Sequence, residues 1–245
     1  MLRLFLHCGA RYVERQAVYE SDTPANTSSW FPIPHRQLLE QVESTLVVSG
    51  LSVVSEAHAL WGGGLRYFGL LEVVGGECHP DYQLVVGLRN SNDKSIPASL
   101  ALGNSVLVCD NLSFLGEVTI SRRHTRFITR DLPQLVQRAV GQLTEVRSQQ
   151  DRRIDAYKNT SLDDRVAHDL VVRALDARIL PATQVPAVLA EWRSPRHPEF
   201  TKDGKTAWRL FNAFTEIWKG RNFAELPRRS QALHGLFDSE CAVAV

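Results

Sequence analysis

Leu51-Ser-Val-Val-Ser-Glu-Ala-His-Ala-Leu-Trp-Gly-Gly-Gly-Leu-Arg-Tyr-Phe-Gly-Leu-Leu-Glu-Val-Val74 decides the fold. Two runs rich in β-branched and aromatic residues flank Trp61-Gly-Gly-Gly, whose glycines supply the positive φ that a tight connection needs. The link is too short for a parallel crossover, so the runs pair as an antiparallel hairpin. Tyr82–Leu88 adds a third run after Gly75-Gly-Glu-Cys-His-Pro-Asp, and Ser105–Cys109 and Glu117–Phe127 add two more. Upstream, residues 2–6 and Arg11–Tyr19 read as strands, and Ser21–Pro34 reads as a loop. Leu38, Leu39, Val42, Leu46 and Val47 form one face of a helix closed by Gly50.

Texture changes near residue 128. Asp131 is placed to cap a helix with Pro133 in its first turn, running to about Tyr157. Ser161 caps the next helix, and shorter ones follow at Val185–Arg193, Lys205–Lys219 and Ala224–Phe237. The expected fold is α+β: an antiparallel sheet of about five or six strands with one helix in the N-terminal half, and a helical C-terminal half packed on it. Residues 1–127 form the strand-rich half and 128–245 the helical half, expected to behave as one cooperative domain.

Charge follows the same division. The net of +1 splits into 7 Lys/Arg against 12 Asp/Glu over residues 1–120, and 21 against 15 over residues 121–245. Only 5 of the 28 basic residues are Lys, and arginine's planar fork suits phosphate or carboxylate. An excess of +6 is mild, however, and i,i+4 pairing on helices accounts for much of it. The four cysteines are too few and scattered for a disulfide scaffold, and the apolar runs are too short to span a membrane. A cytoplasmic protein without a membrane segment is the expectation.

Several chemistries find no support. Gly62-Gly-Gly and Gly75-Gly lack the Lys-Ser/Thr of a phosphate loop. His7-Cys8 and Cys78-His79 are adjacent pairs, which on strands point to opposite faces and do not chelate zinc. No G-x-S-x-G elbow is present, Cys109 ends an apolar strand, and His168 sits on a charged helix. No cofactor or metal is expected.

Three polar segments entered from hydrophobic strands stand out: Arg89-Asn-Ser-Asn-Asp-Lys-Ser, Asp110-Asn-Leu-Ser and Ser121-Arg-Arg-His-Thr-Arg. If the strands are neighbours, Arg89, Asp93, Asp110, Arg122 and His124 gather near one sheet end. Strand alternation then puts Arg122, His124 and Arg126 on one face and Arg123 on the other. Arg89, Asn90, Arg122, Arg123, His124 and Arg126 are the candidate phosphate or nucleic-acid contacts. Ser91, Asp93, Asp110 and Asn111 complete a candidate polar site, although Asx-type turns explain each segment taken singly. Trp208, Phe211, Phe214, Thr215 and Trp218 share one helix face and read as core rather than as base-stacking rings, and Arg221, Arg228 and Arg229 as surface.

The same segments carry a family resemblance. Leu88-Arg-Asn-Ser-Asn-Asp-Lys-Ser, Val108-Cys-Asp-Asn-Leu-Ser-Phe, Arg122-Arg-His-Thr, Trp208-Arg-Leu-Phe-Asn-Ala-Phe-Thr-Glu and Gln231-Ala-Leu-His-Gly-Leu-Phe-Asp together resemble the phage/plasmid-like family, domain of unknown function 932, over roughly residues 30–238. The family pattern has His and then Asp-Gly after Arg-Asn-Ser; Asn92 and Lys94 replace the His and the Gly here. The resemblance implies an association with phages, plasmids and integrated elements, and brings no agreed activity.

The leading expectation is a non-enzymatic nucleic-acid-binding protein of mobile-element origin, an accessory to recombination or single-strand annealing, with single-stranded DNA favoured as partner. A metal-dependent phosphoester hydrolase using Asp93, Asp110 and Glu117, with His124 nearby, is the enzymatic alternative. A protein-interaction or inhibitor module is the third. Oligomeric state stays open, a homo-oligomer included.

Overall fold

The computed structural model of the protein describes residues 11–75, 79–106, 111–202, 204–218 and 226–243. Six strands, β1 (Arg11–Val13), β2 (Ser52–Trp61), β3 (Arg66–Val74), β4 (Tyr82–Ser91), β5 (Ala98–Val106) and β6 (Asn111–Arg122), form one sheet in sequence order. Every pairing is antiparallel, so the sheet is a meander. The chain is thus α+β, with its sheet in the N-terminal half and a mostly helical C-terminal half.

The Trp61 connection is a hairpin turn, with Gly62, Gly63 and Gly64 at φ of 64°, 69° and 91°. Register aligns Leu60, Tyr67, Asn90, Ala98 and Arg122 across the sheet on one face. Neighbouring rows alternate, and the rows from Tyr67 through Leu71, Leu88 and Leu102 supply the core.

α2 (His35–Val48) lays Leu38, Leu39, Val42 and Leu46 against β2 and β4. α3 (Ile128–Gly141) packs on β5, β6 and α2. α4 (Leu143–Asn159) meets α8 (Ala207–Trp218), and α8 and α9 (Leu226–Glu240) close on β6. α5 (Asp164–Asp176), α6 (Val185–Arg193) and the short α7 (Glu199–Lys202) complete the helical half. α8 is buried almost all round, and stacks Trp208 on Phe211 at 5.9 Å, as befits a helix inside a core. Its rings are packing. Among the described residues, no helix is long and apolar enough to cross a membrane.

Several sequence expectations are corrected. Arg11–Tyr19 is not one strand: after β1 the chain turns into α1 (Arg15–Glu20). Tertiary ion pairing overrides the alternation there, because Arg15 Nε donates to Glu56 at 2.8 Å and Nη1 to Glu43 at 3.1 Å. The helix expected from Asp131 to Tyr157 starts earlier, at Ile128, and is two helices parted at Gly141, a weak helix former. Asp131 lies in the first turn of α3 rather than at its cap. Asp163, not Ser161, caps α5, its carboxylate accepting from the Val166 amide at 2.8 Å. Ser161 instead forms a bridge with Thr206.

The strands also shift. Ile96–Leu102 belongs largely to β5, which ends at Val106; residues 2–6, Cys109 and Asp110 lie outside the described residues. β4 runs on through Arg89, Asn90 and Ser91, so half of the first polar segment is strand and not loop.

Candidate functional site

At the end of the sheet where β4 stops, the polar segments become pins. Asn90 is fully buried; its Nδ2 donates to the Ile33 carbonyl at 3.0 Å and to His35 Nδ1 at 2.9 Å. His35 Nε2 in turn donates to the Gly64 carbonyl at 2.9 Å, which fixes the tautomer. Burial lowers the His35 pKa to about 4, against the raising effect of that carbonyl and with a smaller lowering contribution from His124. Ser91 Oγ closes the following turn twice, donating to the Ile96 carbonyl at 2.7 Å and accepting from its amide at 3.0 Å.

Asp93 accepts from the Ser95 amide at 3.0 Å and from Arg66 Nε at 2.5 Å. Burial pushes its carboxyl up, but Ser95 and the Arg66 guanidinium outweigh this and hold it at about 2. These three residues are therefore occupied in holding the turn and the loop before α2. Turn chemistry accounts for them.

What they hold in place is a groove of about 500 Å³ at this sheet end, lined by Trp30, Lys94, Ser95, Arg123, His124 and Thr125 with three smaller or apolar neighbours. Trp30 comes from the Ser21–Pro34 loop, where its amide donates to Thr27 Oγ1 at 3.1 Å and its carbonyl accepts from the Thr27 amide at 2.9 Å. The Phe31 amide ties this loop to the His124 carbonyl at 2.9 Å. Lys94 Nζ lies 5.1 Å from the centre of the Trp30 ring.

The Lys94 backbone has a φ of 67°, in the left-handed region that glycine favours, which costs a non-glycine residue about 1–2 kcal/mol. That strain is held at the mouth of the groove. His124 is 5% exposed and its ring centre is 6.3 Å from that of Trp30. Burial lowers its pKa, the Phe31 backbone opposing, so it stands neutral at pH 7. The Phe31 backbone comes near enough to the imidazole to raise its pKa, but beyond that approach neither ring nitrogen, nor Thr125 Oγ1, makes a hydrogen bond of good geometry within the protein. Among the described residues, no carboxylate lines the groove.

The remaining sequence candidates separate. β6 ends at Arg122, so the expected alternation of Arg122, His124 and Arg126 against Arg123 does not hold. Beyond the strand the chain turns, with the Ile128 amide donating to Thr125, and both Arg123 and His124 reach the groove. Arg122 pairs with Asp131 at 2.5 Å. Arg126 and Arg130 both lie over the Phe127 ring, at 4.6 and 4.5 Å.

Arg89 sits in the row of Phe68 and Ser99, on the sheet face opposite Asn90, and burial lowers its pKa. Asn111 begins β6 and pairs with Val106, about 36 Å of strand away from Arg122. The side chains of Asn111 and Glu117 lie outside the described residues. Among those described, no group of three His, Cys, Asp or Glu is placed to hold a metal.

Trp30, Lys94 and Thr125 were missed as site residues. Lys94 and Thr125 lie inside polar segments that the sequence singles out without naming them as contacts, and Trp30 lies in a polar stretch whose composition reads only as loop. Beneath the groove a buried polar chain was also missed: His35 and His58 flank Tyr67 at ring distances of 5.4 and 6.0 Å. The Tyr67 hydroxyl lies 3.0 Å from His58 Nδ1, and His58 Nε2 lies 3.5 Å from Glu56.

Fold and site define an α+β meander protein with a basic, aromatic-sided groove at one sheet end. Residues 26–234 match the family described as a domain of unknown function, DUF932, and the chain belongs to that family. No curated protein and no solved structure matches it.

Proposed function

We propose that the protein binds single-stranded nucleic acid, DNA favoured, through this groove, as a non-enzymatic accessory of recombination or annealing. The observation that carries the reading is the meeting of Lys94, Arg123 and Trp30 in a groove lined by no carboxylate among the described residues. Phosphates are held by cations and bases by flat rings, and sequence-tolerant strand binders combine the two. Arg126, exposed beside Phe127, extends the positive surface past the groove, while Arg130 on the same ring is ion-paired with Asp131. The family resemblance supports a phage- or plasmid-borne setting, and the few scattered cysteines support a cytoplasmic one. Asp93 is committed to Arg66 and Ser95, which favours binding over metal-assisted hydrolysis.

Fluorescence anisotropy of a labelled single strand at several salt concentrations tests this. Affinity falls with salt, and a Lys94→Gly, Arg123→Ala variant flattens the logarithmic slope by about 1.4, at about 0.7 for each phosphate no longer neutralised. Glycine is chosen at Lys94 because it relieves the left-handed strain, so the variant keeps its fold. Binding that is flat across salt, or a slope unchanged in the variant, overturns the reading.

A further inference from the structure

We infer that the groove is a subsite for one unpaired nucleotide, with the base stacked on Trp30 where the Lys94 ammonium now lies, the phosphate held by Lys94 and Arg123, and the base edge facing His124. This rests on the nucleic-acid reading above and goes beyond it by assigning each part of a nucleotide to a side chain. A protein that held phosphates alone would need neither the ring nor the imidazole.

The first ground is the Lys94–Trp30 contact. Lys94 is exposed and Trp30 half-buried, with the ammonium 5.1 Å from the ring centre. An exposed ammonium on an aromatic face is worth only about 2- to 5-fold in an equilibrium constant, whereas a base on the same face is worth about 5- to 150-fold. A nucleotide offers both halves of an exchange. Its base replaces the ammonium on the ring, and its phosphate takes the ammonium that was displaced. Lys94 needs to swing only its flexible stem, since the backbone is already fixed by the turn that Ser91 and Asp93 hold.

The second ground is independent. His124 is 95% buried by its 5% exposure and lines the groove; apart from the approach of the Phe31 backbone its ring nitrogens make no hydrogen bond of good geometry within the protein, and neither does Thr125 Oγ1 beside it. Buried polar atoms are nearly always paired in native proteins. A neutral imidazole carries one donor and one acceptor, which matches the alternating donors and acceptors of a base edge. A base within a duplex has that edge paired and both faces stacked, so it cannot enter. The volume of about 500 Å³ lies within the range of small-ligand sites, about 300–1,000 Å³.

The test compares an oligothymidine with a strand of the same length and phosphate number in which the bases are replaced by abasic sites. The oligothymidine is expected to bind about tenfold tighter. Trp30→Ala should abolish that difference while leaving the salt slope of both strands unchanged. Trp30→Phe, which keeps a flat ring, should retain most of it.

Equal, salt-sensitive binding of the two strands by the wild-type protein overturns the subsite and leaves phosphate binding standing. Absence of binding to either strand overturns both. Free thymidine monophosphate competing as tightly as the strand itself would make this a mononucleotide site and overturn the proposal as stated.

Discussion

Asp238→Ala is expected to lower stability by about 3–5 kcal/mol, out of the roughly 5–15 kcal/mol that a domain holds. Asp238 is the point where α9 is fastened to α4. Arg153 Nε donates to its two oxygens at 3.2 and 2.9 Å, with the two side chains only 5% and 9% exposed. The Tyr157 hydroxyl donates to Oδ1 at 2.5 Å, and burial together with this carboxylate raises the Tyr157 pKa. Removing the carboxylate takes a counter-charge away from a buried guanidinium, which is far costlier than exchanging a whole ion pair for apolar groups. Asp238→Asn preserves the volume and should cost less. Urea denaturation measures both, and a loss below about 1 kcal/mol for the Ala variant would mean that the pair is not what joins these helices.

The second large effect is acid destabilisation driven by buried histidines. Burial lowers His35 to about 4 and His234 to about 3, and lowers His58 and His124 as well. An unfolded chain takes up these protons near pH 6.5, while the folded chain refuses them until much lower pH. Stability is therefore full above about pH 6.5 and is lost as pH falls from there toward the folded values. At pH 5, His35 and His234 each remove about 2 kcal/mol. Asp93, held at about 2, acts in a lower window: its contribution is present above the ordinary carboxyl value of 3.8 and is lost as pH falls toward 2. Urea midpoints at pH 7, 6 and 5 should fall steadily, and His35→Gln should shrink the drop. A midpoint constant over that range would contradict neutral, buried imidazoles.

The sheet was legible because its links are short. Trp61-Gly-Gly-Gly leaves the chain no route but an antiparallel return, whereas the turn at Asn92 was hidden because its polar residues read as a loop between more distant strands. Helix faces such as Leu38, Leu39, Val42 and Leu46 were legible from their spacing. Boundaries set by tertiary contacts were not: nothing local foretells that Arg15 folds back onto Glu43 and Glu56.

The site was half legible. Arg123 and His124 were named from a basic run beside a strand, while Arg122 in the same run is drawn to Asp131. Asn90, Ser91 and Asp93 were named for their polarity, and their polarity is used internally to fix the turn. Trp30 and Lys94 are brought together from loops 64 residues apart in sequence, a pairing that only the sheet's geometry creates.

Photocrosslinking a single strand carrying 5-iodouracil, followed by mass spectrometry of the joined peptides, locates the binding surface directly. Crosslinks at Trp30 and His124, abolished when Trp30 is replaced by Ala, are the expected result. Crosslinks confined to α8, α9 or the outer face of α4 would contradict a nucleic-acid groove at this end of the sheet.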